Sequence, residues 1–331
     1  MPTATEAALE RRLAVLGSPI AHSKSPMLHA AAYRALGLRW RYEAIRVESP
    51  ELAGFVGSRN ADWHGLSLTM PLKYAVLPLV DSLDAVARIT GAANTILFET
   101  DASGARMRRG FNTDVAGIVR ALRAAGVGGA QHVHVFGGGA TAASAVAAAA
   151  ELGAEHVSVA VRTPSRAQSL KALARSVGLS ASIDTFDQEQ SVVPDLVVST
   201  LPGSITAADA RTIVDGRAMV AAADAGAAFF DVAYDPWPSH AVQAWRSLTG
   251  GEQPAAASHG VVLSGLAMLV HQALLQVRIF VAGDPSLPLN NEAAVLAAML
   301  ESVGLDAAGS PVDSTVASAT GGEQPARMPE S

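Results

Sequence analysis

The sequence predicts an α/β protein made of two α/β domains with a cleft between them. Short apolar runs alternate with helical patterns from residue 13 onward, which is typical of sheets flanked by helices. The alternation restarts near Asp114, and a chain of 331 residues suits two domains of about 150 residues each. We therefore expect a first domain over residues 1–113 and a second over residues 114–261.

The first domain is predicted to contain a sheet and two helices. Its strands are expected at residues 13–17, 42–47, 65–69, 95–99 and 106–110, the last two forming a hairpin. Ser25, as N-cap, and Pro26 favour the start of a helix that ends before Gly37. Pro71 opens the second helix, whose apolar face is expected to continue through residues 83–89.

The second domain is predicted to alternate strands and helices regularly. Its strands are expected at residues 131–136, 157–161, 196–200 and 229–232, and its helices at residues 115–125, after the glycines near 139, and at 165–177. A further strong helix is expected over residues 264–280. Residues 306–331 lack aromatic residues and apolar spacing, so we expect a disordered tail. The heptapeptide Thr-Gly-Gly-Glu-Gln-Pro-Ala occurs at 249–255 and 320–326 without a structural explanation.

Composition excludes several classes of function. The formal net charge is -6 and there is no basic block, so we expect no nucleic-acid partner. The absence of cysteine excludes disulfides, thiolate metal sites and a cysteine nucleophile. Residues 1–12 do not resemble a signal peptide, and the apolar stretch at 261–277 looks too short and too polar to span a membrane. A cytoplasmic enzyme or a soluble binding protein fits these limits.

A glycine-rich turn at residues 137–142 predicts a nucleotide site. The segment reads Gly-Gly-Gly-Ala-Thr-Ala between a predicted strand and a predicted helix. Gly137 would allow the tight turn, Gly139 would let the backbone approach a pyrophosphate at the helix N-terminus, and Ala142 would keep the helix close to the sheet. In this context the motif predicts a Rossmann-type dinucleotide-binding domain, although such glycines also occur in ordinary turns.

The end of the next strand favours NADP as the cofactor. An enzyme that uses NAD carries an acidic residue here to bind the ribose 2′-hydroxyl. This chain instead has Arg162, Thr163 and Arg166 and no carboxylate. Guanidinium groups bind phosphate in a bidentate fashion, which suits a 2′-phosphate. The alternative is that both arginines are solvated charges at a helix start.

Four segments outside the nucleotide motif predict a second ligand. Residues 17–26 put two serines at a helix N-terminus, where a small carboxylate can bind. Lys73 lies in the first turn of a helix. A cation is disfavoured there unless an anion lies nearby or the residue has a functional role. Residues 91–95 (Gly-Ala-Ala-Asn-Thr) and 110–114 (Gly-Phe-Asn-Thr-Asp) complete the set, the latter at the seam of the two domains.

These segments, in this order, resemble the signature motifs of the shikimate dehydrogenase family, which includes shikimate and quinate dehydrogenases. Two later segments agree, Asp-Val-Ala-Tyr-Asp-Pro-Trp at 231–237 and Gly-Leu-Ala-Met-Leu-Val-His-Gln at 265–272. The resemblance covers residues 13–283. It implies an NADP-dependent oxidoreductase that reduces 3-dehydroshikimate to shikimate, with an N-terminal substrate domain completed by C-terminal helices at 262–305.

The resemblance also implies a role for individual residues. Lys73 and Asp114 would form the catalytic pair. The substrate would be bound by Ser23, Ser25, Thr69, Asn94, Tyr234 and Gln272. NADP would be bound by Gly137, Gly138, Gly139, Ala140, Arg162, Thr163, Arg166, Thr200, Val232 and Gly265. No metal is expected, and the enzyme would be a monomer or a homodimer acting on small molecules.

Three positions depart from the family's pattern and several residues keep simpler interpretations. The family usually has Asn at Val161, Asn at Ser67 and Gly at Val115; the first departure removes a polar contact to the ribose phosphate. Ser25 could be only an N-cap, and Tyr234 could serve only to pack a loop. His132 and His134 share one face of a strand without a third ligand nearby, so we interpret them as structural.

The proposed chemistry needs a proton donor at the substrate ketone. Lys73 is the candidate, with Asp114 orienting it and bonding the adjacent hydroxyl, while the remote carboxylate anchors the ring. Quinate and aminoshikimate dehydrogenases share these motifs and stay alternatives, although the arginines argue against an NAD-dependent quinate enzyme. A catalytically inert NADP-binding regulator is the alternative from another class.

Overall fold

Two six-stranded sheets with helices packed on their faces form the framework. The structure is a computed structural model and describes residues 10–248 and 260–312. Within these residues the strands are β1 (Arg12–Gly17), β2 (Arg41–Arg46), β3 (Trp63–Leu68), β4 (Ser82–Leu83), β5 (Thr95–Thr100), β6 (Arg106–Phe111), β7 (His132–Phe136), β8 (His156–Ala160), β9 (Ser180–Asp184), β10 (Leu196–Ser199), β11 (Ala228–Asp231) and β12 (Val262–Ser264). The α-helices are α1 (Ser25–Ala35), α2 (Leu52–Gly57), α3 (Leu72–Ala75), α4 (Ala85–Thr90), α5 (Asp114–Ala124), α6 (Ala140–Glu151), α7 (Gln168–Ser176), α8 (Ala207–Val214), α9 (Arg217–Asp224), α10 (His240–Leu248), α11 (Gly265–Ala282) and α12 (Glu292–Ser302). The predicted α/β fold with two domains is confirmed.

The first sheet has the strand order β2-β1-β3-β5-β6-β4. Strands β1, β2 and β3 run parallel, and β5 and β6 form the predicted antiparallel hairpin. The carboxyl ends of β1 and β3 therefore meet at one edge, and the backbone N–H of Thr69 donates to the carbonyl of Leu16 at 2.9 Å. The segments that follow these two strands carry Ser23, Ser25 and Thr69, three of the six predicted substrate residues.

The predicted continuous helix from Pro71 to Ile89 is wrong. The segment forms the four-residue helix α3, a 3-10 turn at residues 77–79, the short strand β4 and helix α4. Leu83, Val86 and Ile89 are spaced as on a helix, but Leu83 pairs with Gly110 of β6. Ile89 is half exposed and does not continue an apolar face. Pairing with a distant strand therefore outweighs the local periodicity.

The second sheet is entirely parallel, with the order β12-β11-β10-β7-β8-β9. This is the doubly wound order, whose switch point lies between β7 and β10, where ligands bind at the strands' carboxyl ends. The central strands are buried on both faces, so that even His134 of β7 lies in the core. Strands β9 and β12 and helices α8–α10 were not predicted.

Helix α11 connects the two sheets. Strand β12 pairs with β11, and α11 then packs against α5 of the second half and against α1, β3 and β5 of the first half, where α12 also covers α1. By length and composition α11 is long enough to cross a membrane, contrary to the sequence interpretation, but 78% of it is buried inside the protein. It is the central helix of the fold.

The chain after α12 makes a further turn. Leu305 is buried and forms a β-bridge with Pro311, and the Asp306 carboxylate accepts hydrogen bonds from the backbone of Ala308 and Ser310. Residues 306–312, which were predicted to begin a disordered tail, are thus hydrogen-bonded in place. Residues 313–331 and both copies of the repeated heptapeptide fall outside the described residues.

His134 is enclosed in the core of the second sheet. It is only 1% exposed, its Nδ1 lies 2.7 Å from Ser158 Oγ, and its ring packs edge-on against Phe136. Burial lowers the pKa of His134 to about 3. Among the described residues no three histidine or acidic side chains are grouped so as to hold a metal ion.

We expect acidification to destabilise the protein partly through His134. Below its ordinary pKa of 6.5 the unfolded histidine takes up a proton, whereas the folded side chain stays neutral down to about 3. Between pH 7 and pH 5 the folded state should lose on the order of 2 kcal/mol from this residue. Urea unfolding at both pH values should show a correspondingly smaller loss for His134→Asn, with His132→Asn, partly exposed on the same strand, as the control. Equal pH dependence in wild type and His134→Asn would contradict this.

Candidate active site

A cavity of about 190 Å³ lies between the two halves of the molecule. Its walls come from the carboxyl ends of β1 and β3, the start of α5 and α6, the loop after β11, and one face of α11. The lining residues are Val15, Ser25, Ser67, Leu68, Thr69, Lys73, Asn94, Asp114, Thr141, Val232, Tyr234, Gly265, Met268, Leu269, Gln272 and Gln276. Nine of the residues predicted from the sequence thus share one cavity.

Lys73 and Asp114 form an ion pair in this cavity. Lys73 Nζ lies 2.7 Å from Asp114 Oδ2, and the two side chains are only 13% and 5% exposed. Asp114 is the first residue of α5, where the helix dipole favours a carboxylate. Helix α3 has four residues, so the dipole argument made for Lys73 has little force; its anion is Asp114. The pair provides a proton donor whose position is fixed by hydrogen bonding.

Asn94 holds the second oxygen of Asp114. Its Nδ2 donates to Asp114 Oδ1 at 2.8 Å and to Thr113 Oγ1 at 2.8 Å, and lies 3.3 Å from Gln272 Oε1. The backbone N–H of Thr113 in turn donates to Asn94 Oδ1 at 3.0 Å. Both carboxylate oxygens are therefore engaged, and the carboxylate has little freedom to rotate. The same amides face the cavity, where hydroxyl groups of a ligand could bind.

The serine loop and the loop after β11 meet at the cavity. Ser25 is 4% exposed and is the first residue of α1, whereas Lys24 is the N-cap; Ser25 is therefore not the N-cap that the sequence suggested. Ser23 does not line the cavity, and its Oγ accepts the backbone N–H of Ser25 at 3.3 Å. Burial raises the pKa of Tyr234, opposed by a hydrogen bond from the Lys24 backbone to its hydroxyl. Tyr234 thus reaches across from the second half to the serine loop.

The glycine turn has the geometry that a dinucleotide requires. Gly137 has a φ of +108°, and a Cβ there would lie 2.4 Å from Thr200 Oγ1, so only glycine fits. Gly139 precedes α6 without any side-chain cap, which leaves the N-terminal N–H groups of α6 available to an anion. The Thr200 hydroxyl donates to the Phe136 carbonyl at 2.8 Å and holds the turn beside the next strand.

The residues after β8 are placed to receive a phosphate. Arg162, Thr163 and Arg166 are exposed, and no ion pair to either arginine occurs in the described part of the chain. Val161, where the family usually has Asn, is buried beside Gly138 and offers no polar group. Two cationic side chains without a protein anion beside a glycine turn are suited to the 2′-phosphate of NADP.

The loop after β11 and the start of α11 close the cavity tightly. A Cβ at Gly265 would lie 1.9 Å from the carbonyl oxygen of Val232, so this contact excludes every other residue. Val232 and Gly265 both line the cavity. The close approach of the two backbones therefore shapes this side of the cavity.

Seven lining residues were not predicted as site residues: Val15, Ser67, Leu68, Thr141, Met268, Leu269 and Gln276. Gln276 follows Gln272 by one helical turn, so helical spacing could have found it. Its side chain accepts from Ser67 Oγ at 2.9 Å and donates to Thr95 Oγ1 at 2.9 Å, forming the floor of the cavity. Thr141 lies in the glycine motif, but nothing in the sequence places its side chain in the cavity.

Comparisons with known proteins found a matching family profile for each half of the chain. Residues 15–96 match the profile of the shikimate dehydrogenase substrate binding domain, and residues 114–273 match that of the alanine dehydrogenase/PNT C-terminal domain. The shikimate dehydrogenase (NADP(+)) of Methanothermobacter thermautotrophicus is 31% identical over 284 residues, which cover 84% of this chain and 94% of that protein.

Solved structures of shikimate dehydrogenases are also similar to this chain. The shikimate dehydrogenase of Mycobacterium tuberculosis aligns with a TM-score of 0.68 at 37% identity, covering 87% of this chain and 98% of that one. The shikimate 5-dehydrogenase of Thermus thermophilus, solved in complex with NADP(H) and shikimate, aligns with a TM-score of 0.65 at 28% identity, covering 88% and 99%.

Proposed function

The chain belongs to the shikimate dehydrogenase family, and on that basis we propose that it catalyses the reversible, NADP-dependent reduction of 3-dehydroshikimate to shikimate. The observation that carries the proposal is the buried Lys73–Asp114 pair, which lies in the cavity between the serine loop and the glycine turn. Nearly full-length similarity to NADP-dependent shikimate dehydrogenases supports both the substrate and the cofactor.

We assign the two halves of the molecule to the two ligands. Residues 1–113 with 262–305 would bind the substrate, and residues 114–261 would bind NADP. The substrate carboxylate would be held by Ser25 at the start of α1 and by Tyr234 from the loop after β11. Ser23, which the resemblance also implies, lies beside Ser25 but does not line the cavity. The ring hydroxyls would be bound by Thr69, Asn94 and Gln272, whose amide and hydroxyl groups can both donate and accept hydrogen bonds.

Lys73 would donate the proton in the reduction and accept it in the oxidation. Reduction of the ring ketone at C3 builds negative charge on its oxygen, and a neighbouring ammonium stabilises that charge and donates the proton. In the oxidation of shikimate, the neutral amine accepts the proton from the C3 hydroxyl. Asp114 would keep Nζ directed into the cavity and accept a hydrogen bond from the adjacent hydroxyl. When bound, NADPH supplies the hydride.

The cofactor would extend from the cavity across the edge of the second sheet. The pyrophosphate would rest on the backbone N–H groups of Gly138, Gly139 and Ala140 at the start of α6. Arg162, Thr163 and Arg166 would bind the 2′-phosphate, and Thr200, Val232 and Gly265 would lie along the path to the nicotinamide. The open turn and the unpaired guanidiniums fit this dinucleotide.

Arg162→Ala should raise the KM for NADP about tenfold to a hundredfold and leave the KM for NAD almost unchanged. The loss corresponds to one charge-assisted contact with the 2′-phosphate, on the order of 1.5–3 kcal/mol. Initial-rate measurements with both cofactors test this, and Arg175→Ala, at the far end of α7, is the matched control. Equal losses with NADP and NAD would show that Arg162 serves the fold, and an unchanged NADP preference would assign the phosphate to Arg166 and Thr163.

Members of the family differ in their preferred substrate. Steady-state assays with shikimate, quinate and an aminoshikimate, each with NADP and NAD, would identify the preferred substrate and cofactor of this chain. We expect shikimate with NADP to give the highest kcat/KM. The intact Lys73–Asp114 pair argues against an inert regulator, which would bind NADP in the same assays without turning over any of the three substrates.

We further propose that the reaction takes place in the cytoplasm and that the enzyme is a monomer or a homodimer. The acidic, cysteine-free composition supports this setting. Helix α11, the apolar segment that could suggest a membrane, is instead occupied by contacts with α1 and α5.

A further inference from the structure

Thr141 brings the glycine turn into contact with the proposed catalytic lysine. It is the second residue of α6 and lines the cavity, and its Oγ1 lies 3.4 Å from Lys73 Nζ. The contact joins residues 68 positions apart, one from each half of the molecule. The glycine motif predicts roles for the backbone on either side of Thr141, but none for its side chain.

The ammonium of Lys73 has three N–H donors. Asp114 Oδ2 takes one at 2.7 Å and Thr141 Oγ1 is within reach of a second. The remaining N–H is left for an oxygen in the cavity. Because Asp114 begins α5 and Thr141 lies in the first turn of α6, two rigid helices would fix the ammonium from two directions. Such fixation matters because general acid catalysis depends on the donor's position relative to the reacting oxygen.

Helix stability does not account for a hydroxyl at this position. Helix α6 reads Ala-Thr-Ala-Ala-Ser-Ala-Val-Ala-Ala-Ala-Ala-Glu, and a β-branched residue is a poorer helix former than the alanines around it. Gly139 is the N-cap, without a side-chain cap bond. Ser144 in the same helix uses its hydroxyl on the Ala140 carbonyl at 3.3 Å, whereas the hydrogen bond found for the Thr141 hydroxyl among the described residues goes to Lys73.

We infer that Thr141 is a positioning residue whose hydroxyl accepts a hydrogen bond from the Lys73 ammonium and links the catalytic lysine to the turn that would hold the NADP pyrophosphate. The inference rests on the proposed function for its effect on turnover, but not for the contact itself. Thr141→Val keeps the shape of the side chain and removes the acceptor, and Thr141→Ser keeps the acceptor.

The contact can be tested without substrate or cofactor. The chain has three lysines, Lys24, Lys73 and Lys171, so limited acetylation followed by mass spectrometry reports each one. In the ligand-free protein, Thr141→Val should raise the rate of acetylation of Lys73 relative to Lys171 about twofold to tenfold, the range expected for losing one modest hydrogen bond. Thr141→Ser should match the wild type. An unchanged ratio in Thr141→Val would overturn the contact, whatever the enzyme's substrate proves to be.

The effect on turnover is the second readout. With saturating shikimate and NADP, Thr141→Val should lower kcat about fivefold to tenfold, a loss in line with one neutral acceptor. The Kd for NADP, measured by titration, should stay within about twofold, and Thr141→Ser should recover the wild-type kcat. In a Lys73→Met background, Thr141→Val should cause no further loss. A weakened NADP affinity with unchanged kcat, or a full further loss in the Lys73→Met background, would overturn the positioning role. Absence of turnover in the wild type would count against the proposed function, while the acetylation ratio would still decide the contact.

Discussion

Lys73→Ala is expected to lower the turnover number for shikimate oxidation about a hundredfold or more, the usual scale for a general acid-base group. The variant removes the ammonium that Asp114 directs into the cavity at 2.7 Å. Substrate affinity should change much less, because Ser25 and Tyr234, which we propose as ligands of the substrate carboxylate, are unchanged. The decisive measurement is kcat at saturating shikimate and NADP, under conditions where hydride transfer limits the rate.

Two further variants serve as controls. One tests whether the charge or the shape of the Lys73 side chain matters, and the other tests whether removing any lysine lowers turnover. Lys73→Met keeps most of the side-chain stem without the proton and should be nearly as inactive as Lys73→Ala. Lys171→Ala removes an ammonium from the middle of α7, away from the cavity, and should behave like the wild type. Near-normal turnover of Lys73→Ala would remove this residue from the mechanism.

Asp114→Asn is expected to reduce turnover on a similar scale and, unlike Lys73→Ala, to weaken substrate binding as well. Asp114 Oδ1 accepts from Asn94 and Oδ2 from Lys73. An amide has only one accepting oxygen, so either Asn94 or Lys73 would face an N–H group instead of an acceptor. Because the lysine is 13% exposed, losing its carboxylate should also cost about 3–5 kcal/mol of unfolding free energy, the scale for breaking a buried pair.

The measurements for Asp114→Asn are kcat, the KM for shikimate and the urea midpoint. Asp224→Asn, at the exposed C-terminal end of α9, is a matched control and should leave all three unchanged. If Asp114→Asn were as stable and as active as the wild type, the ion pair would be neither a structural nor a catalytic requirement, and the assignment of the site would fail.

The fold was predictable where buried strands and glycine turns determine it locally. The strand at residues 13–17 follows from a continuous apolar run, the turn at Gly137 from its required positive φ, and the helix after that turn from an alanine-rich segment. Residues 71–89 were not predictable in the same way. Strand β4 exists only because it pairs with β6, and that long-range contact leaves no periodic pattern in a two-residue strand.

The candidate site was predictable residue by residue but not contact by contact. The resemblance to a family singled out Lys73 and Asp114, and the structure places them 2.7 Å apart. Thr141 was missed because its role depends on how α6 faces α3, which no spacing along the chain encodes. Ser25 was misjudged as an N-cap because serine before proline is typical of that position, whereas here Lys24 fills it.

The course of α11 has a consequence for how the protein is made. The first sheet leaves the ribosome without the helix that covers β3 and β5, since α11 follows the whole second half. At typical synthesis rates of 5–20 residues per second, roughly 10–30 s pass between the synthesis of that sheet and the synthesis of α11, which covers it. Residues 114–261 are contiguous, so the nascent chain can complete the dinucleotide half first. The cavity floor at Gln272 and Gln276 arrives last, which makes the ability to bind substrate one of the final properties that the nascent protein acquires.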